Sequence, residues 1–424
     1  MEKMYRCLLL LTLAFFTFAC EKGDDAPAPT PTPDVDRTVL VYLASDNNLY
    51  RFALQNLNDM KSVMEGLDGN LLVYIDEANG TSRLSKIESD GTERVIETYG
   101  KENSASAAVL SYLAEHVQNM VVASADLSNS DKTDGFLKKT HAMVKGDFTG
   151  RFLQPGVAEF TMACIMNGMA LHGGVIPACG TFFVFSDYMK PALRIAALQR
   201  LPVKYVWTHD SFRVGEDGPT HQPIEHEAQL RLMEQLRNHK GERSVVVLRP
   251  ADSYETVAAW KIAMENERPT ALILSRQNIK NLPAASGDRA KEAMQAVKGA
   301  YIVEDCAGTP DVILLASGSE VATLVDGAEK LKADGVKVRV VSVPSEGLFR
   351  DQSKEYQKSV LPCGVPKFGL TSGLPVTLAG LVACDGEVYG LDHFGYSAPA
   401  SVLDKEFGFS GENVYNQVKA MLKK

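Results

Sequence analysis

The sequence has too few basic residues for a general nucleic-acid binder: 44 Lys and Arg stand against 53 Asp and Glu, a formal charge of −9. Binding to a nucleic-acid backbone rests on a net basic surface, so a phosphorylated ligand here needs a local basic site. Metal-type cysteine spacing is missing as well. The seven cysteines, Cys7, Cys20, Cys164, Cys179, Cys306, Cys363 and Cys384, form no C-x-x-C pair. The last five stand in apolar contexts and read as reduced, buried thiols, the usage of a reducing compartment. The apolar run from Cys7 to Ala19 is too short for a membrane-spanning helix.

That run nevertheless has a form of its own. Met1 to Arg6 is short and basic, Cys7 to Ala19 is apolar, and Cys20 follows a small residue and precedes EKGDD. Residues 1–20 therefore read as a lipoprotein-like signal with Cys20 as the lipidation site. Residues 21–36 contain APAPTPTPD, whose alternating prolines favour an extended tether. A membrane is then a partner only through the lipid anchor.

A domain opens at Arg37. The apolar strand RTVLVYLAS is followed by Asp46 and Asn47, which suit a helix cap, then by a helix to about Met64 and a second strand, NLLVYIDE. Leu84 to Tyr99 alternates around the turn Ser89-Asp90-Gly91, as a hairpin does. From Ser104 onward, apolar strands alternate with helices, which predicts an α/β architecture with a largely parallel sheet. A link near residues 284–300 leads to a smaller α/β unit with the strands DVILLASG, KVRVVSV and EVYGLD.

Open parallel sheets place ligand groups beyond the carboxyl ends of their strands. Three strands of the middle domain run into polar residues there: MVVASAD with Asp126, VKYVWTHD with His209, and TALILSRQN with Arg276. Arg276 and His209 suit a phosphate, with the Ser130 hydroxyl beside them. Glu159 opens an apolar helix, where an acid equally suits the helix dipole. Phe182, Phe185 and Tyr188 have the spacing of one helix face and equally the makings of a slot for a flat heterocycle. Cys179, shortly after LHGG, imitates a Cys-His dyad, but His172 ends an apolar helix and Cys179 reads as lying in a Pro/Gly loop, so no dyad is expected; Cys164 reads as packing rather than nucleophile.

Two resemblances follow from these motifs. The stretch VLVYLASDNNL resembles the N-terminal part of clostripain-like cysteine peptidases over residues 37–106, yet neither His nor Cys occurs between Arg37 and Ser104. From about Val109 the chain resembles the C-terminal half of a transketolase: SADLSNS, GVAEF, NGMALHGG, THDSFRVGEDGPTHQP, PTALILSRQN, ILLASGSE and FGYSAPA stand in family order. This resemblance implies a pyrimidine-binding domain at residues 107–290 and a C-terminal domain at 300–424. It also implies thiamine diphosphate as cofactor, here its pyrimidine half only, and two-carbon ketol transfer between sugar phosphates.

Residue roles come with it. Glu159 is implied as the catalytic acid that hydrogen-bonds the aminopyrimidine, and Phe182, Phe185 and Tyr188 as its surroundings. His209, Arg276 and Ser130 are implied for the sugar phosphate, Asp217 and His221 for the sugar hydroxyls, with His221 also catalytic, and Asp126 for orienting that wall. The family's GDG…N motif for diphosphate and metal is not in this chain, so the Mg²⁺ site is expected on a separate N-terminal half or on whatever partner supplies it. Asn103 stands where the family has an arginine. The partner is either a second copy or that separate half. The alternatives are an exported peptidase fragment and a non-catalytic tethered lipoprotein created by fusion near Ser104 to Leu110. The signal implies a membrane anchor and the transketolase part implies cytoplasm, and these two expectations conflict.

Overall fold

The computed structural model describes residues 38–43, 50–63, 70–76, 81–88, 90–100, 105–384 and 386–423. The signal and tether with Cys20, the cap at Asp46 and Asn47, and Asn103 lie outside the described residues. The chain divides into two units, Met1–Lys101 and Glu102–Lys424.

In the first unit, β1 (Thr38–Leu43) pairs in parallel with β2 (Asn70–Asp76), and helix Tyr50–Val63 makes the crossover that parallel neighbours need. β3 (Thr81–Ile87) and β4 (Glu93–Gly100) complete the sheet in the order β1-β2-β3-β4 as the expected antiparallel hairpin. Its turn is set by Asp90, whose carboxylate accepts from the Thr92 amide at 2.9 Å and the Thr92 hydroxyl at 2.6 Å. Lys61 of the helix reaches Glu93 at 2.6 Å.

The second unit holds two sheets. The first is six-stranded and parallel, in the order β6-β5-β7-β8-β10-β9. Its strands are β5 (Met120–Ser124), β6 (Phe152–Leu153), β7 (Ile176–Phe182), β8 (Lys204–Thr208), β9 (Val246–Leu248) and β10 (Thr270–Ile273). The second is five-stranded, in the order β11-β13-β12-β14-β15, with β11 alone antiparallel. It comprises β11 (Tyr301–Glu304), β12 (Val312–Ala316), β13 (Val338–Ser342), β14 (Lys367–Leu370) and β15 (Glu387–Tyr389). The two-residue period of a strand divides each sheet between two cores. Tyr205 and Trp207 of β8 enter one core and Val206 the other. In β12, Leu314 and Ala316 enter one core, Ile313 and Leu315 the other.

Three features differ from the sequence expectation. Phe182 ends β7 rather than lying on a helix, because IPACGTF pairs on both sides, with β5 and β8. Its Gly180 is required by packing: a Cβ there would stand 2.6 Å from Thr133 Cγ2 and 2.9 Å from Asp131 Oδ2. Cys179 lies in that central strand, not in a loop. Of the five downstream cysteines only Cys179 is buried; Cys164, Cys363 and Cys384 are exposed and Cys306 is half-buried. Cys164 sits on helix Glu159–His172, which buries Met162, Ala163 and Met166 but leaves apolar Phe160 and Leu171 exposed, so apolar neighbours are no guide to burial there.

A buried ionic network joins the two sheets. Arg249, after β9, donates to Asp210 Oδ2 at 3.0 and 2.7 Å, to the Ser317 carbonyl at 3.0 Å and to Ser372 Oγ at 3.0 Å. It also pairs with Glu320 at 2.6 Å and with Glu227 at 3.3 Å. Arg213 pairs with the same Glu320 and with Asp404 at 2.7 Å. Burial opposes the charge on Glu320, but Arg249 and then Arg213 outweigh it and hold its carboxyl below the usual range. Removing one partner of such a network strands buried charge. Arg249→Met is therefore expected to cost roughly 3–5 kcal/mol, read as a lowered guanidinium midpoint; an unchanged midpoint would show that the network adds nothing to stability.

Candidate functional site

Because β5, β7, β8 and β10 are parallel, their carboxyl ends open on one edge. The backbone there is strained. Among the described residues, five non-glycine positions have left-handed φ, and three belong to this edge: Asp126 at 63°, Lys132 at 64° and His209 at 63°. Each such residue costs on the order of 1–2 kcal/mol, and the surrounding structure must hold it.

After β5 the holder is Asp131. It is buried and accepts from Ser124 Oγ at 2.6 Å, from the Thr133 amide at 3.0 Å and from Thr133 Oγ1 at 2.7 Å. Burial pushes its carboxyl up to about 6 against the pull of those three hydrogen bonds. This pin shapes the loop that carries exposed Asp126 and half-buried Ser130.

After β7 the chain turns from strand through a short 3-10 turn, Phe183–Phe185, into helix Ser186–Gln199. The three expected aromatics straddle this junction. Phe182 and Phe185 stack with centroids 6.0 Å apart, and Phe185 and Tyr188 with centroids 6.2 Å apart. Tyr188 is 61 % exposed, so the slot opens to solvent.

After β8 comes His209, stacked on Phe182 at 3.6 Å. Burial, then the charges of Arg276, Lys132 and His221, hold this imidazole well below its usual pKa of 6.5. It is a neutral ring at pH 7, able to share a hydrogen bond with a phosphate but not a charge. Arg276 and Lys132 supply the positive charge beside it. The next residue, Asp210, points into the network around Arg249, so one dipeptide serves both site and scaffold.

The loop after it carries Asp217 and His221. Gln222 Nε2 fastens this loop by donating to the Gly215 carbonyl and, from the second sheet's domain, the Tyr396 carbonyl, both at 3.0 Å. A Cβ on Gly395 would stand 1.7 Å from Gln222 Oε1, which explains the glycine of FGYSAPA. His221 meets Phe185 edge-on at 5.4 Å and Phe182 at 6.5 Å. Asp217 is exposed.

The structure thus brings Phe182, Phe185, Tyr188, His209, His221 and Arg276 together. Asp126, Ser130 and Asp217 stand on loops of the same edge, without a hydrogen bond, ion pair or ring contact to that group among the described residues. Glu159 starts its helix at 8 % exposure, and its carboxylate has no hydrogen-bond partner or ion pair among the described residues. Sequence reasoning missed Lys132 and Asp131; the polar run SNSDKTDG was visible but gave no reason to prefer one residue. Cys179 is fully buried, and burial followed by the nearby Asp131 raises its thiol far from nucleophilic reach.

Two α/β sheets with an aromatic turn, a helix-opening acid free of protein partners among the described residues, and Arg276 and Lys132 at the strand ends form one concerted edge of the fold. Residues 102–281 match the transketolase pyrimidine-binding domain and residues 299–410 the transketolase-like C-terminal domain. The chain carries these two domains of the transketolase family, its C-terminal half. Residues 41–145 also match the clostripain family, a stretch with no cysteine. A transketolase of Halalkalibacterium halodurans is 44% identical over 78% of this chain and 49% of its own length. One of Geobacillus stearothermophilus is 44% identical over 79% of this chain and 49% of its own. The chain therefore spans about half the length of the curated relatives it matches. Among solved structures, transketolase from Leishmania mexicana superposes with a TM-score of 0.68 at 36% identity, covering 76% of this chain and 45% of that one. A chain described as a split-gene transketolase, inactive β4 tetramer, shares the fold at 23% identity and a TM-score of 0.58, over 76% of this chain and 97% of its own.

The depressed His209 pKa has a definite sign. Below pH 6.5 the unfolded chain binds a proton that the folded chain refuses, so this group removes stability as pH falls below 6.5 and none above it. NMR titration is expected to show the His209 ring neutral through pH 6, with Arg276→Ala moving its midpoint upward; a midpoint at the ordinary value in the parent would contradict the charge arrangement.

Proposed function

We propose that residues 102–424 act as the pyrimidine-side half of a thiamine-diphosphate-dependent transketolase. They would transfer a two-carbon ketol unit between sugar phosphates once a second chain supplies the diphosphate side. The observation that carries this reading is Glu159: an acid with no protein hydrogen bond or ion pair among the described residues, mostly covered at the start of a helix, in a chain that also holds an open aromatic slot. With no protein donor, this carboxylate is free to take a ring nitrogen of a bound aminopyrimidine as its partner, a charge-assisted hydrogen bond that strengthens as the ring excludes water.

When bound, the cofactor supplies a nucleophilic carbon able to break and form the bond beside a ketose carbonyl. The protein's share is positional and protonic. Glu159 holds a proton at the pyrimidine nitrogen, and Phe182, Phe185 and Tyr188 fix the ring plane. Arg276 and Lys132 attract the sugar phosphate, while neutral His209 adds a hydrogen bond. His221, in contact with Phe182 and Phe185, is placed to exchange a proton with a sugar hydroxyl, and Asp217 and Asp126 to orient it.

The need for a second chain is supported by the apolar residues left outside. Val157 and Phe160 beside Glu159, Leu171 near the other end of the same helix, and Ile195 and Leu198 on helix Ser186–Gln199 are exposed. A contact surface of this kind fits a second copy or a separate N-terminal half.

Two outcomes are expected. The chain alone should bind thiamine diphosphate at about 1 mM, with little dependence on Mg²⁺, since stacking plus one charged hydrogen bond is offset by ordering costs. Titration calorimetry with and without Mg²⁺ checks this, and tight, Mg²⁺-dependent binding would reveal a diphosphate site in the chain itself. Mixed with a separately expressed N-terminal transketolase half, the chain should gain ketol-transfer activity, and Glu159→Gln should lower it by at least about 10²-fold. No activity at any ratio, with both halves folded, refutes the proposed function.

A further inference from the structure

Metal-type ligands meet at a second place, beside the aromatic turn but separate from the strand-end edge. Asp187 stands in the first turn of helix Ser186–Gln199, and His226 begins helix His226–Gln235 with Glu225 just before it. One ligand atom from each of Asp187, Glu225 and His226 lies within 4.8 Å of the other two.

The histidine is the informative member. Its ring is 4 % exposed, and neither Nδ1 nor Nε2 makes a hydrogen bond. Both nitrogens nevertheless face carboxylates: Nε2 lies 3.3 Å from Asp187 Oδ1 and Nδ1 lies 3.7 Å from Glu225 Oε2. The ring has thus lost water and faces two carboxylates without a well-formed hydrogen bond to either. The first of these distances suits two ligands of one ion, because bonds of about 2.0–2.1 Å to a tetrahedral centre set donors about 3.3–3.4 Å apart.

We propose that Asp187, Glu225 and His226 bind a divalent transition-metal ion of the zinc type. One imidazole nitrogen and two carboxylates form a common ligand set for such an ion, with water completing the shell. Glu225 is half-exposed, and its carboxylate lies within 4.8 Å of the other two ligand atoms. Lys190 is the resident competitor. Its ammonium pairs with Asp187 and donates to Gln229 Oε1, so it already places a positive charge at the site and has Gln229 to retain it when an ion enters.

The location gives the ion a role. Asp187 follows the turn that carries Phe185, and Glu225 follows the segment that carries His221 and Gln222. The His226 ring also meets Phe183 edge-on at 5.7 Å. An ion here would tie the aromatic turn to the His221 segment.

The test is titration of the full chain with Co²⁺, followed by its visible spectrum, and with Zn²⁺ against a chromophoric chelator. One ion per chain is expected, with a tetrahedral Co²⁺ spectrum free of thiolate charge transfer. His226→Gln and Asp187→Asn should each weaken binding by at least about tenfold, and Lys190→Gln should tighten it by removing the competing charge. The lysine variant keeps the test decisive if a ligand variant misfolds. Parent-like affinity in folded His226→Gln, a thiolate band from the exposed cysteines, or unchanged or weaker binding in Lys190→Gln overturns the proposal.

Discussion

The site depends on a positive charge that never reaches it. Arg249 sits between the two sheets, surrounded by Asp210, Glu227 and Glu320, and each of those acids is fixed by the fold around it. Asp210 follows His209 directly. Holding one acid in the interdomain network therefore sets where the neighbouring imidazole stands and helps keep its left-handed backbone in place. The C-terminal domain thereby contributes to the site: Ser317, Glu320 and Ser372 close the arginine's shell, and the Tyr396 carbonyl fastens the His221 loop through Gln222.

Much of this was legible in the sequence, and the reasons are uneven. Apolar strands alternating with helices fixed the α/β class, because strand and helix periods differ and the runs are long. The strand-end rule located Asp126, His209 and Arg276 on one edge without any knowledge of strand order. β7 was not legible, since Pro177 and Gly180 are poor strand formers and only pairing on both sides makes the stretch a strand. The burial of the cysteines was misread for a related reason. Helix Glu159–His172 is apolar nearly all round, so its sequence could not tell the face that packs on the sheet from the face left outside. Lys132 and Asp131 escaped because a polar loop has no periodicity; what distinguishes them is backbone strain and burial, both tertiary properties.

The boundary between the two units has a sharper meaning than either family match alone. The clostripain match runs to residue 145 and the transketolase match begins at 102, so 44 residues are claimed by both (145 − 102 + 1). The fold assigns them to one side. β5 pairs with β6 and β7 in the six-stranded sheet, and the second unit starts at Glu102, where the transketolase match starts. The earlier unit closes its hairpin before that point.

Asp126, Lys132 and His209 also fix where the backbone energy of this edge is borne. Glycine adopts left-handed backbone without steric cost, so drift toward glycine at these three positions would relieve strain, at about 1 kcal/mol each before the unfolded chain's added freedom is counted. Here an acid, an ammonium and an imidazole stand where glycine would be easier, so the cost falls on the contacts that hold the backbone: the buried Asp131 after β5 and the Asp210–Arg249 pair after β8.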